Sequence, residues 1–156
     1  MHVNVMYSGM SIEGSFLKLL SSNVYCRILK IKLSPNIIAV KYILKISEKL
    51  PKDIVFLIIG SVVEAFKGAK VSSNVIFTGY VEEVKSYLII TNVLLNLKFT
   101  SNTEIEAKMF DYLSCGKPVI STRIGAVGFE HFPNIIIVDN LRGAVREIVR
   151  LYGVEC

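Results

Sequence analysis

Lys108 and Asp111 stand three residues apart in the run Glu106-Ala107-Lys108-Met109-Phe110-Asp111-Tyr112-Leu113-Ser114-Cys115-Gly116-Lys117-Pro118-Val119-Ile120-Ser121-Thr122. On a helix that spacing puts both side chains on one face. A cation can stabilise negative charge on a nearby phosphate, and a carboxylate can accept two hydroxyls, so these residue types could serve a polar anionic ligand. The same pair also fits a plain surface ion pair, which would stabilise the helix by about 0.2–0.5 kcal/mol.

The rest of the run shows what must hold the pair in place. Gly116 falls just past the helix, where a residue that tolerates a left-handed backbone closes it cheaply. Pro118 opens an apolar strand at the point where its missing N–H does least harm. Upstream, Ser101 and Thr103 with Glu104 and Glu106 have the composition of a capping box, which would occupy the first helical N–H groups. Two carboxylates there would also repel an anionic ligand.

Other chemistry is absent from the sequence. No Ser-His-Asp set, metal-ligand spacing, P-loop or Gly-x-Gly-x-x-Gly motif occurs. Cys26, Cys115 and Cys156 form no Cys-x-x-Cys pair, which points to a reducing compartment and no metal site. Cys115 reads as a small buried residue. His131 reads as a loop residue, and His2 is terminal.

Strands are expected at 24–31, 54–59, 74–77, 93–97, 118–121 and 134–138, with another at 2–7. The continuous apolar run Ile54–Ile59 is the composition of a strand buried on both faces. Ser34 and Pro35 suit the cap and first position of a helix reaching Leu50. Further helices are expected at 81–89, across Lys108–Asp111, and from 141 to 152. Residues 61–73 read as a loop with one helical turn, and 12–20 have weaker helical spacing around Gly14. Strands alternating with helices imply βαβ units and one doubly wound, Rossmann-like parallel sheet of about six strands, with helices on both faces. Ligands of such sheets bind beyond the carboxyl ends of the strands, where the strand order reverses.

A chain of 156 residues is one domain by length. Residues 1–23 read as a hinge or linker segment and 24–156 as the domain. Mean hydropathy is +0.51, which raises the question of membrane insertion. The apolar runs at 54–66 and 87–97 fall short of the roughly 20 residues that a spanning helix needs. No basic segment followed by an apolar core opens the chain, so no signal peptide is expected. The net charge of +5 comes without a dense basic run or interleaved aromatics, so nucleic acid is not an expected partner. An anionic small ligand or an anionic membrane face suits the sign.

The run from Lys108 to Thr122 resembles the donor-site signature of glycosyltransferases of the GT-B fold, the retaining group often written as family 4. That pattern is roughly Lys-x-x-Glu-Tyr-Leu-Ala-x-Gly-Lys-Pro-Val-Val-x-Thr, and Asp111 stands where the family has Glu. Val3-Asn4-Val5-Met6 with Gly9-Met10-Ser11-Ile12 and Phe16 is similar to the family's hinge segment. Pro35-Asn36 with Ala39-Val40 is similar to its first helix. Ile58-Ile59-Gly60 and Asn74-Val75-Ile76-Phe77-Thr78-Gly79-Tyr80-Val81 are similar to its second and third strands. Gly125-Ala126-Val127-Gly128-Phe129 stands where relatives carry Gly-Ala-Glu-Gly-Leu. The chain departs from the pattern at Thr103, where many relatives have a second Glu. It departs again at Leu29-Lys30-Ile31-Lys32, where relatives have Gly-Arg and a later Lys.

The resemblance implies one GT-B half, the C-terminal domain that binds a nucleoside diphosphate sugar. Asp111 would take the ribose hydroxyls and Lys108 would lie near the phosphates. Thr100, Ser101, Asn102 and Thr103 would cradle the donor through their backbone. Gly79 and Lys30 complete the implied donor set. The implied activity is transfer of a hexose, with retention, to a glycan or lipid-linked acceptor, with no cofactor and no metal ion. The acceptor-binding half would come from another domain or a partner chain. The alternative is a non-catalytic remnant acting by association with a partner chain. The expected location is the cytoplasm, with peripheral membrane contact and a homo-oligomer both compatible.

Overall fold

The run Ile54–Ile59 is buried along its whole length, because it lies inside a sheet covered on both faces. The structure, a computed structural model, describes residues 26–31, 36–100 and 107–154. The elements in order are β1 (Cys26–Ile31), α1 (Asn36–Lys49), β2 (Ile54–Ile59), a 3-10 segment (Ser61–Phe66), β3 (Val75–Gly79), α2 (Lys85–Ile90), β4 (Val93–Asn96), α3 (Lys108–Ser114), β5 (Val119–Thr122), β6 (Ile135–Val138) and α4 (Leu141–Val154). The six strands form one sheet in the order β3-β2-β1-β4-β5-β6. Every neighbouring pair is parallel.

Period-two alternation divides the strand residues between two cores. Ile54, Phe56 and Ile58 face one side, where Val40, Ile43 and Ile46 of α1 and Ala144 and Ile148 of α4 cover them. Val55, Leu57 and Ile59 face the other, under Tyr87 and Leu88 of α2 and Met109 and Tyr112 of α3. The doubly wound parallel sheet expected from the order of apolar runs is therefore the architecture. No helix among the described residues is long and apolar enough to cross a membrane.

Two local expectations need correction. The helix expected at 81–89 starts only at Lys85. Val81 packs against the core from non-helical backbone, while Val84, helical in φ and ψ, is the cap from which the helix starts. Their i,i+3 spacing therefore mimicked a helical stripe. The first helical carbonyl is that of Val84, which accepts from the N–H groups of Tyr87 and Leu88. Cys115 is half-buried rather than buried, because it caps the end of α3. There its thiol donates to the Asp111 carbonyl at 3.3 Å. The expected segments at 2–7 and 12–20, the hinge at 1–23, and Ser34 and Pro35 lie outside the described residues.

Gly116 closes α3 as its position demands. Its φ is +67°, and its N–H bonds the Leu113 carbonyl at 3.2 Å. The next residue links the two helices of that face. The Lys117 ammonium donates to the carbonyl of Leu88 at 2.9 Å and to that of Ile89. These are terminal carbonyls of α2; that of Leu88 also accepts from the Thr91 N–H at 3.2 Å, and a cation there complements the helix dipole. Lys117→Met is expected to lower stability by about 1–2 kcal/mol. Chemical denaturation checks this, and an unchanged midpoint would show that water replaces the ammonium without loss.

Candidate functional site

The strand order reverses beside β1. From β1 the chain runs outward through β2 and β3, then returns to the far side of β1 through β4, β5 and β6. In open α/β sheets ligands bind beyond the carboxyl ends of the strands at such a reversal, which here are the ends of β1 and β4. The residues at those strand ends set the chemistry there.

β4 reads Val-Leu-Leu-Asn and β5 reads Val-Ile-Ser-Thr. Each strand is apolar until its carboxyl end, and Asn96 is in register with Ser121. The four polar groups around this register form one lattice. Ser121 Oγ donates to the Asn96 carbonyl at 3.2 Å. Asn96 Nδ2 donates to the Gly125 carbonyl at 2.9 Å. Thr122 Oγ1 accepts from the Lys98 N–H at 3.0 Å and donates to the Lys98 carbonyl at 2.6 Å. The clasp fixes the chain where it leaves β4. Asn96 Oδ1 is buried with no hydrogen-bond partner among the described residues. A buried acceptor in that state costs free energy unless a donor reaches it.

Gly125 is at its position for space. A Cβ there would lie 2.6 Å from Asn96 Nδ2, 2.8 Å from Ser121 Oγ and 2.9 Å from the Asn96 carbonyl oxygen. Only glycine lets the turn after β5 come this close to β4.

The lattice also holds α3. Asn96 Nδ2 lies 3.3 Å from Met109 Sδ, and Met109 is fully buried. Met109 is flanked by Lys108, the first residue of α3, with Asp111 two residues further on. The first turn of α3 is thereby anchored at the carboxyl end of β4, beside the reversal point. Lys108 is half-buried and Asp111 is exposed. A half-buried ammonium and a solvent-facing carboxylate one turn apart can receive an anionic group and a pair of hydroxyls from solvent.

The remaining expected site residues are spread along the same end of the sheet. Thr100 is an exposed bend residue a short way past β4. Ser101, Asn102 and Thr103, with Glu104 and Glu106, lie outside the described residues. Lys30 is the penultimate residue of β1, its backbone in register with Ile58. Gly79 ends β3 with φ +71°. It lies two strands from β1, about 10 Å across the sheet at the usual strand spacing. Only a ligand laid along the carboxyl edge would touch Gly79 and α3 together.

The expected set omits Lys98, Asn96, Ser121 and Thr122. Lys98 is only 5% exposed, although lysine is almost never buried without compensation. A signal for the other three was present in the sequence: two apolar strands that turn polar at the same end.

Comparison with known proteins agrees with this fold. The family described as Glycosyl transferases group 1 matches residues 31–153. No curated protein sequence matches the chain. Among solved structures, HepE of Anabaena in complex with UDP is similar at 14% identity and a TM-score of 0.68, over 92% of this chain and 43% of HepE. HepE has also been seen with UDP-glucose, in a structure with a TM-score of 0.66 to this chain. A glycosyltransferase from Rickettsia africae is similar at 15% identity and 0.66, over 96% of this chain and 43% of that one. WaaG, a glycosyltransferase involved in lipopolysaccharide biosynthesis, is similar at 16% identity and 0.62, over 94% and 42%. The chain spans less than half the length of these proteins, and at such identities the likeness speaks for the fold.

Proposed function

The chain belongs to the Glycosyl transferases group 1 family, and from that premise we propose that it is the donor-binding half of a glycosyltransferase that moves a hexose from a nucleoside diphosphate sugar to a glycan or lipid-linked acceptor. One observation carries the reading. The contact between Asn96 and Met109 anchors the turn bearing Lys108 and Asp111 at the reversal point of the sheet, where such folds receive nucleotides.

In this reading Asp111 accepts the two ribose hydroxyls and Lys108 faces the diphosphate. During transfer the bond between the anomeric carbon and the phosphate oxygen breaks. The anomeric carbon bonds to the acceptor oxygen, whose proton passes to a base. Negative charge grows on the departing diphosphate, and a fixed cation stabilises that charge without reorganising. Asn96, Ser121 and Thr122 act through rigidity, by holding the ends of β4 and β5 and the start of α3. The acceptor and its base belong to the other half of the active site, which a second domain or partner chain supplies.

Titration of the full chain with UDP-glucose and GDP-mannose in a calorimeter tests the proposal. Saturable binding of one, competed by its nucleoside diphosphate, is the expected result. Absence of binding to either would leave the alternative, a non-catalytic domain that acts only by association.

A further inference from the structure

The two helices on the α1 side of the sheet carry a regular cationic pattern that the donor site does not use. α1 has Lys41, Lys45 and Lys49, and α4 has Arg142, Arg146 and Arg150, each set at intervals of four residues. All six are exposed. At about 100° per residue, each set falls within an arc of roughly 120°. This is the arc opposite the core, because Val40, Ile43, Ala144 and Ile148 face inward. The helices touch each other. Near their ends Tyr152 of α4 bonds Asp53, just beyond α1, so the two stripes lie on one side of the sheet.

The charge balance of this face is one-sided. Against its six cations stand Glu48 and Glu147, which leaves a net of four positive charges out of the chain's +5. Glu147 pairs with Arg150 at 2.6 Å. No ion pair among the described residues engages Lys41, Lys45, Lys49, Arg142 or Arg146. Apolar side chains stand within the same arcs: Ile37 and Ile38 at the start of α1, 36% and 43% exposed, and Val149 of α4, 47% exposed.

We propose that the outward face of α1 and α4 is a docking surface for an anionic phospholipid bilayer. Charge complementarity selects the occupant. A negatively charged lipid surface attracts basic residues over its whole area and accepts apolar side chains between headgroups. Ile37, Ile38 and Val149 suit such a surface, whereas a nucleic acid backbone would gain nothing from them. The strand-order reversal lies at the carboxyl edge of the sheet, not on this face, so a bilayer under α1 and α4 leaves that edge clear. The inference rests on the fold alone and stands whether or not a nucleotide sugar binds.

Co-sedimentation of the full chain with vesicles tests it. Binding is expected to vesicles of phosphatidylcholine mixed with phosphatidylglycerol, to weaken with added salt, and to be slight on phosphatidylcholine alone. Each cation near an anionic surface contributes about fivefold in affinity. The variant K41Q/K45Q/R142Q/R146Q is therefore expected to bind several hundredfold more weakly, with an unchanged melting temperature because all four residues are exposed. I37S/I38S is expected to lose binding that salt does not remove. Equal binding to neutral vesicles would overturn the proposal, as would full binding by the fourfold variant. Preference for duplex DNA over the anionic vesicles, in direct competition, would reassign the face to nucleic acid.

Discussion

Gly125→Ala is expected to cost about 3 kcal/mol of stability. The added carbon would press on Asn96 Nδ2, Ser121 Oγ and the Asn96 carbonyl oxygen, all closer than 3.0 Å. None is the free end of a flexible side chain. Two are buried polar atoms already committed to hydrogen bonds, and the third belongs to the backbone of β4. Relief therefore requires the turn to move off β4, which strands buried polar groups. For a domain of this size the melting temperature should fall by about 6–12 °C. Gly153→Ala serves as the comparison. Gly153 is exposed on α4 with nothing within 4 Å of the added carbon, so that change should be neutral or stabilising by up to about 1 kcal/mol. Equal melting temperatures for the two variants would show that the β4–β5 lattice is loose enough to absorb a methyl group.

Asp111→Ala is expected to weaken binding of the nucleotide sugar by at least a hundredfold while leaving the fold intact. A carboxylate that accepts two ribose hydroxyls makes two charge-assisted hydrogen bonds, each contributing about 1.5 kcal/mol or more. Losing both costs about 3 kcal/mol, or two orders of magnitude in Kd. Because Asp111 is exposed, its removal should alter stability by no more than about 0.5 kcal/mol. Asp111→Asn keeps one acceptor oxygen and should fall between wild type and Asp111→Ala. The calorimetric titration that detects donor binding reads all three proteins. Equal affinities would remove Asp111 from the ribose role and leave it a solvated helix residue.

The fold was legible where burial alone dictates the sequence. A strand covered on both faces must be apolar throughout, and Ile54–Ile59 is. A left-handed closing residue must be glycine or close to it, and Gly116 is. The start of α2 was not legible, because Val81 reaches the core from irregular backbone at a spacing from Val84 that a helix would also give. The candidate site divides in the same way. Lys108 and Asp111 stood out by charge type and spacing on a short helix. Lys98 and the Asn96–Ser121–Thr122 lattice join residues about 25 positions apart, through contacts that exist only once β4 and β5 pair. Nothing local marks such a contact. Gly125 was visible as a loop glycine, but its reason, a backbone approach to β4, is purely tertiary.

The position of β1 has a consequence for how the chain reaches this state. β1 is the first strand described and lies at the centre of the sheet, with β2 on one side and β4 on the other. Its β2 edge can pair early, across one helix. Its other edge must wait until Val93 comes round to meet Ile28, and a loop that long is closed at an entropic cost before any contact rewards it. Folding should therefore be slow for a domain of this size, as high contact order predicts. During synthesis the central strand keeps one unpaired edge until β4 has emerged from the ribosome, and that interval is when the chain is most open to edge-to-edge aggregation.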